Sequence, residues 1–218
     1  MDLSPDLRAR ILASAAATPA PTRAQTWRSR AIIIGGGIAG GLGVFVYNGG
    51  IRLTARPPFM AALTSFGTAV CAGLAMYGLF TKRGRSMMRR PAAVVALIAV
   101  AATVGFVVWR FGISSIFDRT ARWPTRPGFK CLALGTTIGA IPLFAALVSW
   151  RHTEPLTPFA TGAAFGAGAG LGSAVLVDLW CPVSYLPHLL LGHVLPVALL
   201  AGLGGLVGRF LLRLRRRV

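Results

Sequence analysis

The sequence predicts an all-α polytopic membrane protein, a bundle of six transmembrane helices. Three observations carry this prediction. Of the 218 residues 55% are hydrophobic and only 13% are charged, about half the charged fraction of an ordinary soluble domain. The charges are confined to particular stretches, and the apolar runs between them reach the ~20 helical residues needed to cross a hydrocarbon core of ~30 Å. Aromatic rings, which favour the headgroup level, fall near the ends of these runs: Trp27, Tyr47, Trp109, Trp123, Trp150, Trp180 and Tyr185.

The spans are expected at residues 31–50, 59–80, 91–111, 130–150, 157–177 and 187–210. The chain thereby divides into a polar N-terminal segment, residues 1–30, and a six-span transmembrane domain, residues 31–218. In the first segment Ser4, Pro5 and Asp6 form a helix start. They supply a capping hydroxyl, a proline at the first helical position and an acid near the positive end of the dipole. Leu3, Leu7 and Ile11 follow at four-residue spacing, so a short amphipathic helix is expected over residues 5–17. Pro19 and Pro21 end it and begin a linker. No apolar stretch of the signal-peptide kind precedes Ala31, so the first span is expected to act as its own insertion signal.

The net charge of +18 would point to nucleic acid in a soluble protein. Here the basic residues flank apolar spans. They read as topology signals and contacts with anionic lipid, with no direct nucleic-acid partner. Most lie on one side: Arg8, Arg10, Arg23, Arg28 and Arg30 in the tail, the basic loop at 82–90, Arg151, and the arginines from Arg209 onward. The other side holds Arg52, Arg56, Arg110, Arg119, Arg122, Arg126 and Lys130. The positive-inside rule then puts both termini in the cytoplasm of a bacterial inner membrane and the loop at 178–186 outside.

Gly35, Gly37 and Gly40 match the spacing of a dinucleotide-binding fingerprint, but no acid lies between Asp6 and Asp118 to hold a ribose. These glycines read instead as close helix packing, as do Gly36/Gly40, Gly37/Gly41, Gly204/Gly208 and the run Gly162, Gly166, Gly170. The five acids, Asp2, Asp6, Asp118, Glu154 and Asp178, form no catalytic pair and are all expected outside the spans. An enzyme is therefore not expected, and neither is a proton relay of the kind pumps use. Thr64, Thr68, Thr136, Thr137 and Ser173 read as packing hydroxyls.

Two of the three cysteines fall at the same expected membrane depth: Cys131 at the start of the fourth span and Cys181 in the last loop. On the external side such a pair is suited to a disulfide or a soft-metal site; the plainer alternative is two unrelated small apolar residues. Cys71, mid-span, reads as packing. His188, in the first turn of the last span, is placed to join the pair. His193 is five residues on, ~7.5 Å deeper and ~140° around an α-helix. It is expected on a different face, in a structural role. No cofactor is expected apart from a possible soft metal at these cysteines.

With these residues in view the chain resembles the NrsF-type membrane proteins, negative regulators of extracytoplasmic-function sigma factors. The likeness rests on the short polar N-terminal segment, the six spans, Lys130-Cys131-Leu132 opening the fourth, and the run from Cys181-Pro182 to His188-Leu-Leu-Leu-Gly192-His193. Cys71 is not part of that pattern. The resemblance implies a membrane-bound anti-sigma factor that sequesters an extracytoplasmic-function sigma factor. It would release that factor on an external signal sensed through Cys131 and Cys181. The partner-binding stripe would be Leu3, Leu7 and Ile11, which could otherwise rest on lipid. A small multi-span transporter or a structural membrane bundle are the alternatives.

Overall fold

The computed structural model describes residues 22–51, 58–80, 104–109, 128–151, 158–183 and 186–212, with isolated residues Ser4, Asp6, Ala9, Ala13, Ala101 and Gly112. Among the described residues all regular structure is helical. The order is α1 (Arg23–Tyr47), α2 (Pro58–Phe80), α3 (Phe129–Trp150), α4 (Pro158–Trp180), the short α5 (Leu186–Leu189), a π-helical turn (Leu190–Val194) and α6 (Leu195–Leu211). Four stretches are long and apolar enough to cross a membrane: Ala24–Tyr47, Phe129–Trp150, Pro158–Trp180 and Leu186–Leu211. The third predicted span lies outside the described residues except at Ala101 and 104–109, which are helical. The amphipathic stripe of Leu3, Leu7 and Ile11 also lies outside them; Asp6, Ala9 and Ala13 are helical and exposed.

Helix α1 begins earlier than its apolar run because Thr22 and Gln25 form a reciprocal capping box. The Gln25 N–H donates to Thr22 Oγ1 (3.2 Å), and the Thr22 N–H donates to Gln25 Oε1 (2.9 Å). It packs along α3, and the contact centres on Pro142. That proline has no N–H to give to Ile138. A Cβ on Gly41 would sit 2.9 Å from the carbonyl it leaves, and one on Gly37 would sit 2.5 Å from Ala145 Cβ. Of the glycines that imitate a nucleotide fingerprint, Gly37 and Gly40 thus serve helix approach, a Cβ on Gly40 lying 3.1 Å from the Ile141 side chain, and Gly35 has nothing within 4 Å. The opposite side of α1 exposes Ile32, Ile38, Leu42 and Val46, a surface suited to lipid tails.

The closest pair is α4 with α6. A Cβ on Gly162 would strike the Gly204 backbone, one on Gly166 would strike the Leu200 carbonyl, and one on Gly170 would lie 2.7 Å from Val197 Cα. Glycine at every fourth residue lets the two backbones touch along this seam. Below the seam Leu143, Leu147, Leu200 and Leu212 form an apolar core, with Trp150 and Phe165 against it. The Arg30 guanidinium lies 4.5 Å over the Trp150 ring at this end. A second core, Phe45, Leu134, Ile138, Val177 and Val183 around Cys131 and Cys181, fills the other end. There Trp180 Nε1 donates to the Asn48 carbonyl (2.9 Å), fastening the end of α1 to the end of α4.

Candidate functional site

Four side chains from three parts of the chain meet at this second end. Cys131 comes from the first turn of α3, Cys181 from the residue after α4, His188 from α5 and His193 from the π-helical turn. Their ligand-type atoms all lie within 4.8 Å of one another, and all four residues are buried. His188 Nε2 is central, 3.1 Å from Cys181 Sγ and 3.4 Å from Cys131 Sγ. Cys71, Cys131 and Cys181 are all thiols. The sequence-predicted trio of Cys131, Cys181 and His188 is thus brought together.

Local backbone makes the convergence possible. Gly128 precedes α3 with φ +88°, a left-handed conformation that favours glycine. A Cβ there would crowd the His188 carbonyl at 3.2 Å, and a Cβ on Gly192 would lie 2.8 Å from Cys131 Cβ. The start of α3 and the turn bearing the histidines therefore meet through two glycines.

His193 corrects the sequence expectation. Regular α-helical geometry would separate it from His188 by ~140°. The Leu195 N–H instead reaches back five residues to the Leu190 carbonyl. The extra residue in that turn takes back about 100°, leaving the pair roughly 40° apart. Their ring centroids are 5.7 Å apart. Pro196 supplies a cause, since it has no N–H for Gly192 and its ring crowds that carbonyl. A wider turn just before it relieves both. The Phe106 ring stacks on His193, with centroids 6.1 Å apart.

Asp178 is a second correction. The expected fifth span, 157–177, puts Asp178 in the loop that follows. Helix α4 continues to Trp180, and Asp178 is fully buried within it. Ser65 Oγ donates to Asp178 Oδ2 (3.3 Å), and Thr68 Oγ1 lies 3.2 Å from the same oxygen and 3.1 Å from the Thr64 carbonyl. A carboxylate in lipid must find such donors. The run Val177-Asp178-Leu179-Trp180 was the legible signal, because one acid inside an apolar run does not end a helix. Asp178 sits one turn before Cys181, so the cluster and α2 are joined through it. Cys71, by contrast, packs as expected: a Cβ on Gly105 would lie 3.6 Å from its sulfur.

Hydrogen bonding with Cys131 holds the Cys181 thiol far below the ordinary thiol range, with the hydrogen bond to His188 adding to the effect. Burial opposes it. A thiolate is the nucleophilic and metal-binding form of cysteine. The chemistry open to the cluster is therefore capture of a soft metal ion or, with an external two-electron oxidant, closure of the two thiols into a disulfide.

Comparison with known proteins adds an independent finding. The family model NrsF, described as negative regulator of sigma F, matches residues 12–214. No curated protein and no solved structure matches the chain.

Proposed function

The chain belongs to the NrsF family and is a negative regulator of a sigma factor, and on that premise we propose that it is a membrane-anchored anti-sigma factor for a sigma factor of the extracytoplasmic-function type. It resides in the bacterial inner membrane with both termini in the cytoplasm. Residues 1–30 hold the sigma factor through Leu3, Leu7 and Ile11. An external signal acting at Cys131, Cys181 and His188 releases it. The regulatory family also favours a non-enzymatic role.

The observation that carries this reading is the meeting of Cys131, at the start of α3, with Cys181 and His188, which lie far along the chain from it. A change at their centre alters the relative positions of α3, α4 and the last span together. Only such a differential effect on two arrangements of the bundle can transmit a signal. The four long apolar stretches support anchoring, and the distribution of basic residues supports the orientation. The proposed partner-binding stripe precedes the matched region, which begins at residue 12.

The test is a sigma-dependent transcription reporter in cells that carry the chain and its sigma factor. The native chain should repress until an inducer is added. Cys131→Ser and Cys181→Ser should repress with and without it. Normal induction in both variants would remove the cysteines from signalling. Changing Leu3, Leu7 and Ile11 to Asp together should abolish repression while leaving membrane insertion intact.

A transporter is the second reading, favoured by one observation: the buried Asp178 with hydroxyls around it. Intramembrane acids mark ion pathways. Cation flux into proteoliposomes that Asp178→Asn abolishes would support it.

A further inference from the structure

We infer that Cys131, Cys181, His188 and His193 form one closed, four-coordinate site for a divalent metal ion of the zinc class. The inference deepens the sensing reading of the same cluster and rests on it only for what the bound ion signals.

The geometry is the first argument. A tetrahedral ion with bonds of about 2.0–2.3 Å brings its ligand atoms to about 3.3–3.8 Å from one another. The contacts of His188 Nε2 with the two sulfurs, 3.1 and 3.4 Å, already lie near those edges. The whole set falls within 4.8 Å. Two sulfurs and two imidazoles in this arrangement select zinc over hard cations, which require oxygen ligands.

His193 is the second. It is 1% exposed, and neither ring nitrogen has a hydrogen-bond partner among the described residues. A buried polar atom left unsatisfied is costly in a protein. Yet the chain departs from a regular helix to turn this ring toward the cysteines, and π-helical turns of this kind gather at functional sites. A metal bond accounts for one nitrogen, and the turn before Pro196 is what brings that ring within reach of the cysteines.

Charge is the third. Both cysteines bind as thiolates, and any proton that either still carries passes to solvent, with no change of oxidation state. Two thiolates and two neutral imidazoles around a divalent ion sum to zero. A neutral complex suits a buried site, where an uncompensated charge is costly. A monovalent ion in the same ligand set would leave one negative charge.

The experiment uses the purified full-length chain in lipid nanodiscs, stripped of metal and titrated with Zn²⁺ alone, and with Co²⁺ as a spectroscopic probe. One equivalent should bind. The Co²⁺ form should show thiolate-to-metal charge transfer and the intense visible bands of a tetrahedral site. His193→Ala should weaken binding by more than the roughly 10–100-fold typical of changes outside the ligand set, and it should lose the tetrahedral bands. Cys71→Ser should bind as the native chain does. X-ray absorption of the zinc-loaded native protein needs no variant and should count two sulfurs and two imidazoles. Failure to bind one equivalent, or a single imidazole in that count, overturns the inference. If the protein binds no metal but Cys131 and Cys181 still govern sigma-factor release, the inference fails and the sensing reading survives. If it binds as described but both serine variants respond normally to inducer, the sensing reading fails and the site stands.

Discussion

The last span serves two regions that differ in kind. Its C-terminal half, α6, lies against α4 along a seam where backbone touches backbone, and no side-chain chemistry takes part. Its N-terminal part, α5 and the π-helical turn, places two histidines against two cysteines. The seam is specified by what is missing from its residues. The cluster is specified by what its residues carry. Stability is therefore concentrated in Gly162, Gly166 and Gly204, whereas chemistry is concentrated in four side chains that an apolar residue could replace sterically. A substitution in one region should spare the other, and that separation is open to test.

The largest effect is expected in the seam. Gly166→Leu drives a branched side chain into the Leu200 carbonyl. Overpacking typically costs 1–3 kcal/mol and more where backbone blocks relief. Loss of folded protein from membranes, followed by detergent extraction and size exclusion, is the expected result. Folded protein at native levels would show that the seam is not where stability resides.

The cluster should behave in the opposite way. Cys131→Ser and Cys181→Ser are expected to leave insertion and folded yield unchanged while removing the response to inducer. The double variant should be no worse than either single one, because residues acting as one unit are not additive. An additive loss in the reporter would mean two separate roles.

Asp178 lies between the regions in kind, since it is both buried and polar. Asp178→Ala removes the acceptor shared by Ser65 and Thr68. Hydrogen bonds inside membranes average ~0.6 kcal/mol and reach ~1.7 kcal/mol, so a loss of about 1–2 kcal/mol is expected. A denaturant titration of the protein in micelles would measure it. A stability unchanged from the native chain would leave α2 held to α4 by apolar packing alone.

The smallest effect belongs to α1, where neighbouring glycines should diverge. Gly36→Ala meets nothing within 4 Å and replaces a poor helix former with a good one. Gly41→Ala places its methyl 2.9 Å from the Ile138 carbonyl. The first should be neutral or slightly stabilising and the second destabilising by about 1 kcal/mol. Equal thermal shifts would mean that α1 does not pack at Pro142 as described.

Much of this was legible in the sequence, and the failures have physical causes. Apolar length located the helices at 58–80, 129–150 and 158–180 closely, because lipid thickness dictates it. The four-residue glycine run announced the seam. Cys131, Cys181 and His188 were found because residue type and expected depth suffice to pair them. The early start of α1 was missed because hydropathy does not register a capping box. Asp178 is misplaced by hydropathy alone because an acid resembles the end of a span, although partners on α2 satisfy it. His193 was set aside because its position was judged on regular α-helical spacing. Pro196, three residues later, was the signal that the spacing would not hold.

The π-helical turn has a consequence for how the last span is built. It acts as a phase shift between two bearings on one axle. Residues after it are clocked to α4, and residues before it are clocked to the start of α3. Without the shift, a single rotation would have to suit both partners, and no rotation aligns His188 with His193 while the seam keeps its place. Deleting one residue, such as Leu191, would restore the regular ladder and leave α6 engaged with α4. It would also swing His188 by about 100° away from the two sulfurs.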